Sequence, residues 1–310
     1  MLQTRVIPPA EGAYQYPLLI KRLLMSGARY EKTREIIYRD KLRYTYPTLI
    51  ERVARLANVL TEAGVKAGDT VAVMDWDSHR YLECMFAIPM IGAVIHTINV
   101  RLSPEQILYT MNHAEDRFVL VNSEFVGLYQ AIAGHLTTVD KTLLLTDGDA
   151  KTAELPNLVG EYETLLAAAS PKYDFQDFDE HSVATTFYTT GTTGNPKGVY
   201  FTHRQLVLHT MGVATIMAAR LKEMVEQGLL QTCEVGARSE YQLTDKGRAL
   251  MPVLVTLAQW GEAHTEPKQV GTRLLDARLL KPLRRVEIVS EDGRVLGLDD
   301  IVTQAPTSAQ

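Results

Sequence analysis

The chain has 310 residues, 46% of them hydrophobic and 22% charged, the balance of an ordinary soluble globular protein able to bury a large core in one to three domains. Its formal net charge of −5 offers no general attraction to nucleic acid or to an anionic membrane. The first residues lack the apolar core of a signal peptide, and the most apolar run, 85–95, holds Pro89 and Gly92 and is too short to span a bilayer. The two cysteines, Cys84 and Cys233, have no metal-ligand spacing, so a cytoplasmic protein with buried or free thiols is expected.

In chain order, residues 1–15 read as an irregular lead-in, and residues 16–27, with Leu19, Leu23 and Leu24 at helical spacing, as a helix. Residues 35–39 and 43–46 flank Asp40 and Lys41 and predict a short hairpin. Pro47 opens a helix in which Leu49, Val53, Leu56 and Leu60 recur every three or four residues, up to Gly64. Residues 71–74 read as a strand. A helix over 78–92 follows, capped by Asp77 or Ser78 and kinked or ended by Pro89. Strands are expected at 94–98, 118–121 and 142–146, with a helix entered through Ser103 over 104–112. Helices alternating with apolar strands predict a layered α/β core with parallel pairing.

The stretch that carries chemistry is 187–199, Phe-Tyr-Thr-Thr-Gly-Thr-Thr-Gly-Asn-Pro-Lys-Gly-Val. Glycines let a backbone turn with its N–H groups inward, hydroxyls add donors, and one lysine neutralises charge, so the composition suits a polyphosphate cradle as well as an ordinary surface loop. The spacing fits neither Gly-x-x-x-x-Gly-Lys-[Ser/Thr] nor Gly-x-Gly-x-x-Gly. Downstream, residues 203–218 read as a helix, with His203 a structural polar residue at its start in preference to a substrate contact.

The run 188–199 resembles the AMP-binding signature of the acyl-adenylate-forming enzymes. Three upstream runs extend the likeness: Tyr-Thr-Tyr-Pro-Thr-Leu at 44–49, Ala-Gly-Asp-Thr-Val-Ala-Val at 67–73, and Ile-Gly-Ala-Val-Ile-His-Thr-Ile-Asn-Val-Arg-Leu-Ser at 91–103. The wording is nearest to medium-chain fatty-acyl-CoA synthetases and covers about residues 10–218. The resemblance implies ATP with Mg as cofactor, CoA as co-substrate and a fatty acid as acyl donor. It also implies phosphate contacts from Thr189, Thr190, Gly191, Thr192, Thr193 and Gly194, with Lys197 balancing pyrophosphate charge. The adenine, ribose and lysine elements of that family have no counterpart after Ala218, so no catalytic residue and no metal ligand is assigned.

From residue 219 the wording changes. Residues 219–230, 240–250 and 257–261 resemble the second half of an HxlR-type winged-helix regulator. A helix ends at Gly228, a wing forms around Gly236, and Thr244 caps a helix over 246–260, bent by Pro252 near its start. Its stripe of Leu250, Leu254 and Leu257 packs a partner subunit in that family or, on the residues alone, a core. The first helices of the helix-turn-helix are missing. Five basic residues face six acidic ones over 219–264, so DNA contacts rest on Arg220 and Arg238. A small β element around 285–289 and a polar tail end the chain.

The expected fold is an α/β layered N-terminal region, an incomplete acyl-CoA synthetase N-terminal domain, plus a partial winged-helix α+β segment. The domains are 1–218, 219–264 and a small extension at 265–310. Three functions follow: an acyl-activating enzyme, an HxlR-type DNA-binding regulator, or a fusion of the two fragments able at most to bind ATP. The third describes the sequence best.

Overall fold

The computed structural model describes residues 7–8, 10–30, 32–148, 154–189, 195–235, 238–264, 274–276, 278–279 and 281–302. They fall into two compact units, residues 1–212 and 213–310.

The first unit is built on a seven-stranded sheet. Its helices are α1 (Lys21–Tyr30), α2 (Tyr46–Glu62), α3 (His79–Met90), α4 (Pro104–His113), α5 (Val126–Ala133) and α6 (Tyr162–Ala168). The strands β1 (Glu35–Tyr38) and β2 (Leu42–Thr45) form a separate antiparallel hairpin. The main sheet holds β3 (Thr70–Met74), β4 (Val94–Thr97), β5 (Asp116–Asn122), β6 (Lys141–Leu145), β7 (Leu158–Glu161), β8 (Val183–Thr189) and β9 (Lys197–Thr202). Its order is β7-β6-β5-β3-β4-β8-β9. Every pairing is parallel except β8 with β9.

Strand alternation divides the interior into two layers, because successive side chains point to opposite faces. Val71, Val73, Phe118, Leu120, Leu143 and Leu145 face α2, α3 and α6, whereas Ala72, Met74, Val119, Val121 and Leu144 face α4 and α5. The α2 stripe of Leu49, Val53, Leu56 and Leu60 is buried in the first layer, as its spacing predicts. Ser78 caps α3 by accepting from the Tyr81 N–H. Pro89 sits in the last turn, where it can give no N–H to the Met85 carbonyl, and α3 stops one residue later. Ser103 and Gln106 form a capping box on α4 with Pro104 behind it. Gly92 is at φ +83, and a Cβ there would stand 3.1 Å from that of Ala67, so both conformation and space ask for glycine.

α1 begins at Lys21, not at residue 16, because backbone donors ahead of it are taken by distant side chains. The Leu18 N–H donates to Glu180 Oε2 at 2.6 Å, the Ile20 N–H to His203 Nδ1 at 3.2 Å, and Lys21 Nζ to the carbonyls of Phe175 and Gln176. The same layer holds a buried carboxylate, Glu83, which accepts from Tyr44 at 2.7 Å, Tyr162 at 2.6 Å and Arg52 Nε at 2.7 Å. Three donors offset the desolvation of that charge. Arg52 also grips Glu163 through two bonds of 2.8 and 2.9 Å, and His79 reaches the same carboxylate at 3.1 Å. Burial pushes the Glu163 pKa up, but His79 and Arg52 outweigh it and hold the carboxyl at about 2.

The helix predicted over 203–218 is part of a longer one, α7 (His203–Glu226), which continues through Ala218 without a break. Leucine, methionine, alanine and charged residues of high helix propensity fill the stretch, and Gly228 at φ +70 follows its end.

In the second unit β10 (Leu230–Val235) pairs antiparallel with β11 (Arg238–Leu243), the predicted wing. Thr244 donates to the Gly228 carbonyl at 2.6 Å and accepts from the Gly247 N–H at 3.1 Å, closing the base of the hairpin. Gly247 is required there, since a Cβ would lie 2.2 Å from the Leu229 carbonyl oxygen. The single helix expected over 246–260 is instead two, α8 (Asp245–Arg248) and α9 (Met251–His264). Pro252 occupies the opening turn of α9, where its ring and missing N–H are tolerated, so it starts a helix instead of bending one. Around 285–289 the described residues form no strand but make isolated bridges, Leu275 with Pro282 and Val289 with Val295.

Candidate functional site

The described ends of the 187–199 stretch pair with each other at the carboxyl end of a parallel strand. β8 carries Phe187, Tyr188 and Thr189 up from the sheet, and β9 returns antiparallel from Lys197, with Thr189 opposite Lys197 and Tyr188 opposite Gly198. In open α/β sheets ligands bind outside the carboxyl ends of the strands, and Thr189 is the last residue of β8. Strand β9 is hidden in the sequence because its first half, Lys-Gly-Val at 197–199, belongs to the signature itself.

Thr189 and Lys197 are exposed side by side at the root of the turn. Lys197 makes no ion pair among the described residues, which leaves an ammonium and a hydroxyl free for an anionic ligand. Thr190, Gly191, Thr192, Thr193 and Gly194 lie outside the described residues. Beneath the turn, the Tyr188 ring is buried and its hydroxyl meets His113 Nδ1 at 2.7 Å. Burial, then Tyr200, Asp116 and Tyr109, push the Tyr188 phenol up, so it stays protonated. Behind it His96 Nδ1 bonds Asp116 at 2.8 Å, both groups buried. Burial raises the Asp116 pKa against the pull of His96. Neither Tyr188 nor His113 stands out as a site residue in the sequence; they are 75 positions apart, and only the α4–β8 packing joins them.

The opposite face of the same strand pair presents Phe187 stacked on Phe201. They form part of the wall of an apolar cavity of about 700 Å³ that also involves Leu82, Phe86 and Leu206, with His209 and Gln205 as polar members. A second, polar cavity of about 730 Å³ lies beside Arg52, His79, Arg80 and Asp147. There Asp147 takes Arg80 at 2.5 Å, Tyr38 at 2.9 Å and Lys41 at 3.1 Å, and these bonds, working against burial, hold its carboxyl well below the usual range.

His203, the first residue of α7, is fully buried between Phe178 and the α1 lead-in. Its Nδ1 accepts the Ile20 N–H, which requires the neutral ring, and burial depresses its pKa to about 4 against the opposing Pro89 carbonyl. It is a structural group, as its position at a helix start predicts. Of the DNA-facing arginines expected, Arg220 pairs with Glu223 at 2.8 Å along α7, and Arg238 opens β11, its side chain outside those described.

The profile of the AMP-binding enzyme family matches residues 25–232, well over half of the chain. The chain belongs to that family. Its members include relatives such as a 3-methylmercaptopropionyl-CoA ligase of Ruegeria pomeroyi, 37% identical over 203 residues that make up 64% of this chain and 38% of the relative. A medium-chain-fatty-acid–CoA ligase of Ectopseudomonas oleovorans is 37% identical over 64% of this chain and 37% of its own length. A long-chain-fatty-acid–CoA ligase of Thermus thermophilus is 39% identical over 58% and 32%. The family member thus spans less than two-fifths of each of these ligases.

Among solved structures, a putative long-chain-fatty-acid CoA ligase from Rhodopseudomonas palustris superposes with a TM-score of 0.56 at 20% identity, over 65% of this chain and 48% of that one. An anthranilate CoA ligase in complex with anthranoyl-AMP gives 0.55 at 21% identity, over 60% and 35%. These likenesses establish the layered α/β fold. A second profile, the HxlR-like helix-turn-helix, matches residues 208–269, overlapping the first across most of α7 and into β10. No helix among the described residues is long and apolar enough to cross a membrane.

Proposed function

We propose that this AMP-binding chain holds ATP with Mg through the 189–197 turn, with Thr189, Thr190, Gly191, Thr192, Thr193, Gly194 and Lys197 around the phosphates, and that these 310 residues bind nucleotide without completing adenylation. The observation that carries the reading is the exposed Lys197, with no ion pair among the described residues, set against Thr189 at the carboxyl end of β8, within the matched region. An ammonium and a hydroxyl on adjacent strands suit a polyphosphate, which supplies its own Mg ligands. Residues 219–310 offer no counterpart to the adenine, ribose and lysine elements that acyl transfer to CoA needs in the intact family. A fatty acyl chain is the acyl group in view, because the apolar cavity beside Phe187 and Phe201 could house one and the relatives named above include fatty-acid ligases. The chain is then a ligase fragment, residues 1–218, joined to a regulator fragment, residues 219–264, and an extension at 265–310.

A ligand that binds only the folded state raises its stability, by about 2.7 kcal/mol at a hundred times its dissociation constant. MgATP is therefore expected to raise the unfolding midpoint of the chain, and Lys197→Ala to abolish the rise while leaving the ligand-free midpoint unchanged. A midpoint indifferent to MgATP would end the nucleotide reading.

The alternative, an HxlR-family DNA-binding regulator dimerising through α9, is favoured by one observation, the profile match over 208–269. It would show as salt-dependent, sequence-specific DNA binding that weakens on replacing Arg220 or Arg238. The nucleotide reading is preferred because its match covers three times as much of the chain.

A further inference from the structure

β9 is an edge strand, so its first residue is held only by β8 and by whatever lies beneath the pair. Edge ladders fray from their ends unless anchored. Here the anchor is Tyr188. Its ring lies under Gly198, where a Cβ would come within 3.3 Å of ring carbons and 3.4 Å of the hydroxyl oxygen. The hydroxyl is tied to His113 Nδ1 at 2.7 Å, and the two rings meet edge to face at 5.7 Å. His113 belongs to the last turn of α4, packed on the other side of the sheet from the apolar cavity. Its ring is exposed apart from this contact and the neighbouring Tyr109.

We propose that Tyr188 and His113 are positioning residues that fix where Lys197 stands, by clamping the Gly198 end of β9 to α4. The inference rests on the reading of Lys197 as a phosphate partner, but the clamp itself can be measured without nucleotide. The clamp also explains Gly198, whose missing side chain is the space the Tyr188 ring fills.

Tyr188→Phe keeps the ring and removes one hydroxyl; His113→Ala removes the exposed partner. In the nucleotide-free chain, either change is expected to speed amide hydrogen exchange across Lys197–Thr202 about fivefold, the equilibrium worth of one hydrogen bond, and to shift the global unfolding equilibrium by no more than that same factor. The double variant should be no faster than Tyr188→Phe alone, because that change already removes the bond to His113 along with the hydroxyl's interaction with Tyr200. MgATP affinity is expected to fall about fivefold in each, and in a Lys197→Ala background neither change should weaken it further. Unchanged exchange across Lys197–Thr202 in both single variants would overturn the clamp. If exchange rises but affinity does not, Lys197 is not the group being positioned and the proposal also fails. If the parent chain itself ignores MgATP, the functional reading falls and the exchange result alone decides the clamp.

Discussion

The two units put leucine-bearing helices to opposite use, a sharply one-sided one in the first and one apolar nearly all round in the second. In the first, the stripe Leu49, Val53, Leu56 and Leu60 on α2 is sealed against β3, β5 and β6. In the second, α9 carries Leu254, Leu257 and Trp260 with 56%, 60% and 63% of their surface exposed. Among the described residues, every buried apolar side chain of the core falls at or before Val207. Periodicity decides that a helix can form and which face is apolar, whereas burial needs a surface opposite, which the seven-stranded sheet provides for α2.

The difference makes measurable forecasts. The largest effect is expected where the first layer buries a charge: Arg52→Met leaves Glu83 with its tyrosines but without a cation and should cost about 3–5 kcal/mol in urea unfolding. Leu56→Ala, emptying a fully buried site, should cost about 3 kcal/mol, and Leu257→Ala on α9 less than about 0.5 kcal/mol; equal losses would erase the contrast.

A smaller effect depends on pH. The folded-state pKa of His203, about 4, lies below its ordinary 6.5, so the folded chain binds fewer protons between those values. The stabilisation is complete above pH 6.5 and is lost as pH falls through 4, on the order of 2–3 kcal/mol. His203→Gln, whose amide oxygen can still accept the Ile20 N–H, should flatten this part of the stability–pH curve. A slope unchanged in the variant would assign it to other groups, such as Glu163, whose contribution is lost lower, between about pH 4.5 and 2.

Much of the first unit is legible in its sequence because local signals agree there. Ser103 with Gln106, Pro47 ahead of a leucine stripe, and β-branched runs at 71–73 each point to the element that forms. The misses share a different cause, a long-range partner. The start of α1 is set by Glu180 and His203, more than 160 positions away. β9 and β7 are short edge strands whose identity comes from the neighbour they pair with. The opposite failure occurs at Ala218, where a change in wording, read from similarity, coincides with no local breaker, and α7 runs on. At the turn, Thr189 and Lys197 are plain in the signature, but the Tyr188–His113 contact beneath them needs the sheet to be seen.

The strap that ties Lys21 to the carbonyls of Phe175 and Gln176 sets an order of events during synthesis. Its two ends are 154 residues apart, so on a ribosome adding about 5–20 residues per second the first helix waits roughly 10–30 s for its anchor to emerge. β4 likewise waits for β8 before that side of the sheet can close. Until then Leu19, buried in the finished fold, is open to the surroundings, and a chaperone that favours short apolar segments would find one around residues 18–24.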